Sequence, residues 1–186
     1  SWEGCWQMAR QSRNIPDDGY NRNSVNLLLS ILFRYPQIST IKFLEEGTFR
    51  FTFLFKDEEL DQQKIAEEIE KYLRVHCQLL GQEPQCCNVQ FHSLGTYGRL
   101  DVLRDLATLT GAEISLLINV VQNALGSQLI VEQPESTPSE DAAYQDELIS
   151  VLLEDLQDCP KGHTLYGMRE NGLVLVFNHQ DLDFRR

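Results

Sequence analysis

From Asp105 to Pro160 the chain has no lysine, arginine or histidine, yet these 56 residues carry eleven carboxylates. The other 17 of the 28 acids are nearly matched by the 16 lysines and arginines elsewhere, so the net charge of −12 is a local property. Such a chain lacks the basic footprint that phosphate backbones demand, which excludes nucleic acid as the expected partner. A long base-free stretch suits a basic protein partner instead.

Also missing is any apolar run near the ~20 residues that cross a bilayer. The longest, Ile114–Val121, is interrupted by Ser115 and Asn119, so no membrane partner is expected. The opening SWEGCWQMARQSR has no basic segment leading into an apolar one, and no secretory signal is read there. Five cysteines are an odd and sparse set, unlike a disulfide scaffold; reduced thiols and a cytoplasmic location are expected. P-loop, dinucleotide fingerprint, nucleophile elbow, HExxH and EF-hand patterns are all absent. These gaps point away from catalysis, although a site assembled from scattered residues leaves no local pattern.

What is present concentrates at HCQLLGQEPQCCNVQFH, His76–His92, with three cysteines and two histidines in seventeen residues. On a strand, Cys87, Val89 and Phe91 share an apolar, inward face, while Cys86, Asn88, Gln90 and His92 share the other. Adjacent cysteines on opposite faces do not converge on one ion, and Cys86 and His92 would lie ~20 Å apart. Cys77 falls on the core stripe of the preceding helix, with His76 turned about 100° away. No CxxC or HxxxH pair is available to chelate. Cys77 and Cys87 therefore read as small buried hydrophobes, and neither a metal nor another cofactor is expected.

Asp101 and Asp105 would stand about 13 Å apart on a strand or as neighbours on a helix. Arg99 and Arg104 read as their surface neutralising partners. Cys159 and His163 flank a Pro-Lys-Gly turn, but a helix C-terminus does not activate a thiol.

Periodicity supplies the elements. Trp2, Cys5, Trp6 and Ala9 have helical spacing, and Ser24 is placed to cap a helix carrying Val25, Leu28, Leu29, Leu32 and Phe33 up to Pro36. Phe49, Phe51, Phe53 and Phe55 occupy alternate positions with Arg50 and Thr52 between them, a strand paired with Thr40–Leu44 across Glu45-Glu46-Gly47. Asp57 is expected to cap the next helix, with stripe Ile65, Ile69, Leu73, Cys77 and terminator Gly81. A strand is expected at Cys86–His92, and Arg99–Leu109 suits strand or helix. Thr110-Gly-Ala-Glu113 is a capping box for an apolar helix over Gly111–Leu125, followed by a short strand QLIVE. Thr137-Pro138-Ser139-Glu140 opens a last helix running to about Asp158, and Asn171-Gly172 marks a closing hairpin.

The fold expected is α+β: a mixed, largely antiparallel sheet of five to seven strands with helices packed on it, ordered α-α-ββ-α-ββ-α-β-α-ββ. Residues 1–132 form the main body, and 138–186 an α-ββ unit docked on it. The last helix carries more apolar positions than one stripe needs. Tyr144, Leu148, Ile149, Leu152 and Leu153, with Glu147 and Asp155, are therefore expected to form an interaction surface and to support a homodimer. The function expected is a non-catalytic cytoplasmic protein acting through protein–protein interaction or regulation. The alternative is an enzyme with a dispersed carboxylate or cysteine site, such as a metal-assisted hydrolase.

Overall fold

The computed structural model describes residues 19–132, 141–157 and 163–178. The expected helix at Trp2–Ala9, the helix entry at Thr137–Glu140 and Cys159 lie outside the described residues. Alternating phenylalanines build the first hairpin, β1 (Thr40–Phe43) with β2 (Thr48–Lys56). Its turn needs Gly47, whose φ of 88° is open to glycine at little cost. β3 (Cys87–Leu94) and β4 (Tyr97–Asp105) make the second hairpin, which settles the 99–109 ambiguity: strand to Asp105, then a short 3-10 turn. β5 (Leu165–Glu170) and β6 (Leu173–Asn178) make the third. There Asn171 and Gly172 both take positive φ, 51° and 77°, as a type I′ turn requires.

All six strands join one sheet in the order β3-β4-β2-β1-β5-β6. Every neighbouring pair is antiparallel, so the fold is α+β with no parallel component among the described residues. The register puts Phe49, Phe51, Phe53 and Phe55 on one face beside Ile41, Leu100 and Val102. All of these are buried. Gly98 sits opposite Phe55, and a Cβ there would come within 2.2 Å of the Phe55 ring. The glycine leaves room for that ring to meet Phe91 edge-on, at 5.5 Å between centroids.

Four helices cover this apolar face: α1 (Gly19–Arg34), α2 (Gln62–Leu79), α3 (Gly111–Leu125) and α4 (Ala142–Gln157). α2 buries the expected stripe Ile65, Ile69, Leu73 and Cys77. Gly81, just beyond it, has φ of 70°. α3 contributes Ile114, Leu117, Ile118, Val121 and Leu125 to the core. α4 lies against α1 and α3. The C-terminal hairpin completes the sheet through β5–β1 pairing, and its Arg169 binds it to α1. That guanidinium donates to the carbonyls of Leu32, Tyr35 (2.8 Å) and Ile38 (2.9 Å), the end of α1 where backbone acceptors have no helical partner.

Several local expectations are corrected. α1 starts at Gly19, and Ser24 is a buried residue inside it, not its cap; core packing of Val25, Leu27, Leu28 and Ile31 overrides the weak helix propensity of the Asn/Ser segment. The cap of α2 is Asp61, which accepts from the Lys64 amide at 3.2 Å. Asp57 instead accepts from Gln62 and Ser93, because β2 runs to Lys56 and the chain must turn before the helix begins. QLIVE does not form a strand. Leu129 makes one bridge to Phe55, and the Ile130 amide donates to the Leu54 carbonyl. The four-residue β1 pairs with β2 only as far as Thr52, which leaves that edge open to a passing loop.

Candidate interaction face

One face of the sheet is walled by helices. The other carries no helix among the described residues, and its side chains come from the polar positions of the strands. Register assembles them into rows. Asn88, Leu103, Arg50, Lys42, Tyr166 and Phe177 follow one another across the six strands. The next row runs Gln90, Asp101, Thr52, Thr40, Met168 and Leu175.

At the centre Lys42 on β1 stands directly opposite Arg50 on β2. Like charges facing each other across a strand pair destabilise a sheet. Lys42 also sits over the ring of Tyr166, 4.8 Å from its centroid, a cation–π contact. Arg50 has no ion-pair partner among the described residues. Arg99 completes the group from β4. A carboxylate in the next row, Asp101, is buried and committed elsewhere: it accepts from Thr52 Oγ1 at 2.7 Å and from Arg99 Nε at 3.0 Å, with His92 Nε2 at 3.5 Å. Thr40, Lys42, Arg50, Thr52, Arg99 and Tyr166 enclose a shallow hollow of about 120 Å³. That is well below the ~300 Å³ at which small-molecule sites begin, but it admits one small polar group.

The cysteine segment is organised by a different residue. Arg104, expected at the surface, is wholly buried, at 0 % exposure. Its place opposite Cys87 and Phe49 points it into the helix-covered side, where Glu113 of α3 takes it by two bonds, Nε–Oε2 at 2.7 Å and Nη2–Oε1 at 2.8 Å. Asp105 Oδ1 accepts from Nη1 at 2.5 Å, and the Cys86 carbonyl, Thr108 and Cys77 Sγ take the remaining donors. Burial opposes the arginine's charge, but Glu113 and Asp105 outweigh it and hold its pKa above normal. Thr110 does cap α3 through the Glu113 amide at 3.2 Å; the Glu113 carboxylate, however, goes to Arg104 and does not close the capping box.

The same cluster fixes the thiols. Cys77 Sγ lies 3.2 Å from Glu113 Oε1. Burial, with Glu113 adding to it, pushes this thiol up to about 11. Burial likewise pushes Cys87 up to about 11, and raises Cys86. Cys77, Cys86 and Cys87 are all free. No group of three His, Cys, Asp or Glu residues among the described ones is arranged to hold a metal ion.

The residues expected to form an interaction surface on α4 separate. Ile149, Leu152 and Leu153 are core residues, with Ile149 only 1 % exposed, and Leu148 packs against the core. Tyr144, Glu147 and Asp155 face outward, as does Val151 at 45 % exposure. α4 packs against both α1 and α3. The acidic stretch is also partly neutralised from within: Asp105 and Glu113 by Arg104, and Asp146 by Arg34 at 2.8 Å.

Lys42 and Arg50 were not among the residues singled out from sequence; Arg99 was, as a surface partner of Asp101 and Asp105, and it does pair with Asp101 at 3.0 Å. The Glu45–Gly47 turn contained a usable signal, because fixing that hairpin's register sets Lys42 against Arg50. That Arg99 joins them had no local signal, since it depends on how β4 pairs with β2.

No protein-family model, no curated protein and no solved structure matches the chain. No helix among the described residues is long and apolar enough to cross a membrane.

Proposed function

We propose that the protein is a non-catalytic interaction module that offers its open sheet face to an acidic protein partner. One observation carries the reading. In a chain with 28 acids and 16 bases, Lys42 and Arg50 are set against each other with no ion pair to an acid among the described residues. Like charges paired across a sheet cost stability, and a locally unfavourable arrangement is where function is to be sought. The helices pack on the opposite side, and none of the described ones covers this face.

The competing class, an enzyme with a dispersed carboxylate or cysteine site, has less support. Asp101 and Asp105 are consumed by hydrogen bonds within the fold. The Cys77 and Cys87 thiols are pushed up, whereas reactive cysteines have depressed pKa values. A reducing, cytoplasmic setting goes with the reading, since the neighbouring Cys86 and Cys87 are free thiols. Self-association through α4 would have to rely on Tyr144 and Val151, the exposed apolar residues that remain there.

The test is affinity capture from the native cell with the unmodified chain and with Lys42→Glu/Arg50→Glu. We expect a stoichiometric acidic partner that is lost on charge reversal while the melting temperature is kept. A partner retained by the reversed protein, or none with either, refutes the reading.

A further inference from the structure

Resting on the reading of the open face as an interaction surface, we infer that the hollow between Lys42, Arg50 and Arg99 receives a phosphorylated side chain of the partner. Charge selects the ligand. Arg99 is half spent on Asp101, whereas Lys42 and Arg50 bring two positive charges that no carboxylate among the described residues answers. A phosphomonoester carries about −1.5 to −2 at neutral pH, a carboxylate only −1. The dianion alone matches the pair.

Geometry points the same way. The guanidinium of Arg50 presents parallel donors suited to two phosphoryl oxygens, and Lys42 supplies a compact point charge. Thr40 and Tyr166 line the hollow, and Lys42 is steadied over the Tyr166 ring at 4.8 Å. The floor is Thr52, whose hydroxyl is already turned to Asp101 at 2.7 Å. At about 120 Å³ the hollow takes the phosphoryl group and little more. Whatever bears that group must lie along the strands outside, as an extended peptide can and a compact nucleotide cannot. The protein's overall negative charge repels such a ligand only weakly, because charges beyond a Debye length of about 8 Å are screened at physiological salt.

The experiment uses the full chain at neutral pH and fixed ionic strength, by calorimetry and amide NMR. A phosphoserine peptide is compared with its serine and aspartate counterparts, and methyl phosphate with dimethyl phosphate. The expected result is binding of the phosphoserine peptide at least about tenfold tighter than the aspartate peptide. Shifts should centre on Lys42, Arg50, Thr52 and Tyr166, and methyl phosphate should be favoured over the singly charged diester. Binding should vanish in Lys42→Gln/Arg50→Gln and be partly kept in Arg50→Lys, which preserves charge but loses the fork. Equal binding of the aspartate peptide overturns the phosphoryl assignment and leaves the acidic-partner reading intact. Binding of methyl phosphate without the peptide makes this a small-molecule site and overturns the docking claim. Binding that survives the double substitution, or no binding at all, overturns the inference outright. The capture experiment above still decides the broader reading.

Discussion

Arg104 and Glu113 hold each other by two parallel hydrogen bonds, at 2.7 and 2.8 Å, with neither side chain reaching solvent. The pair joins β4 to α3 in the middle of the core. Buried ion pairs contribute less net stability than their geometry suggests, but removing one partner strands the other charge. Arg104→Met should therefore cost on the order of 3–5 kcal/mol in urea unfolding. Arg104→Met combined with Glu113→Leu should recover a good part of that loss. A single variant as stable as the parent would mean that water reaches Glu113.

Asp105 belongs to the same cluster and sets an acid limit. Burial raises its pKa, but the Cys86 amide, Thr108 and Arg104 together outweigh burial and hold the carboxyl below its ordinary range. Its stabilising contribution is full above the unfolded pKa of about 3.9 and is lost as pH falls through the lower folded value. Asp105→Asn should lower stability at neutral pH and flatten the acid limb of the stability–pH curve. Acid limbs of equal slope in the two proteins would assign the titration to another group.

The thiols offer a direct measurement. With Cys77 and Cys87 pushed up to about 11, scarcely any thiolate exists at mildly alkaline pH, and burial blocks access as well. Iodoacetamide at a pH near that of unperturbed cysteine, about 8.5, should leave both unmodified in the native protein and label both in urea. Peptide mass spectrometry reads the result. Rapid native labelling of Cys77 would show that the Arg104 cluster opens readily.

α4 provides a contrast within two adjacent residues. Leu152 is buried and Val151 is exposed. A lysine buried there loses the solvation of its charge. Leu152→Lys should unfold the protein at room temperature, while Val151→Lys should melt near the parent. If Leu152→Lys instead melted normally but lowered the molecular mass in sedimentation, the residue would belong to a dimer interface after all.

Period and turn chemistry made much of the fold legible. The alternating phenylalanines, the Asn171-Gly172 turn and the Ile65-Ile69-Leu73-Cys77 stripe are local patterns, and each became the element it described. What could not be read was how strands line up. Arg104 looked like a surface base because arginines are mostly exposed, yet β4 alternation turns it inward toward a glutamate on another element. Lys42 and Arg50 looked like ordinary solvent positions until β1 and β2 were put in register. The extra apolar width of α4 was visible, but its packing against α1 and α3 was not, because no local pattern counts neighbours.

The grip of Arg169 on α1 bears on how the chain is made. The carbonyls it satisfies lie 131 to 137 residues earlier, and its own strand, β5, is the one that pairs with the outer edge of β1 among the described residues. Synthesis delivers α1 and the β1–β2 hairpin first. At typical rates of about 5–20 residues per second, the span from Phe43 to Leu165 takes roughly 6–25 s. Throughout that interval the nascent chain carries an open strand edge, the feature through which sheets pair with the wrong neighbour. A cell producing this protein quickly must shield that edge, and truncation upstream of Leu165 should turn a transient exposure into a permanent one.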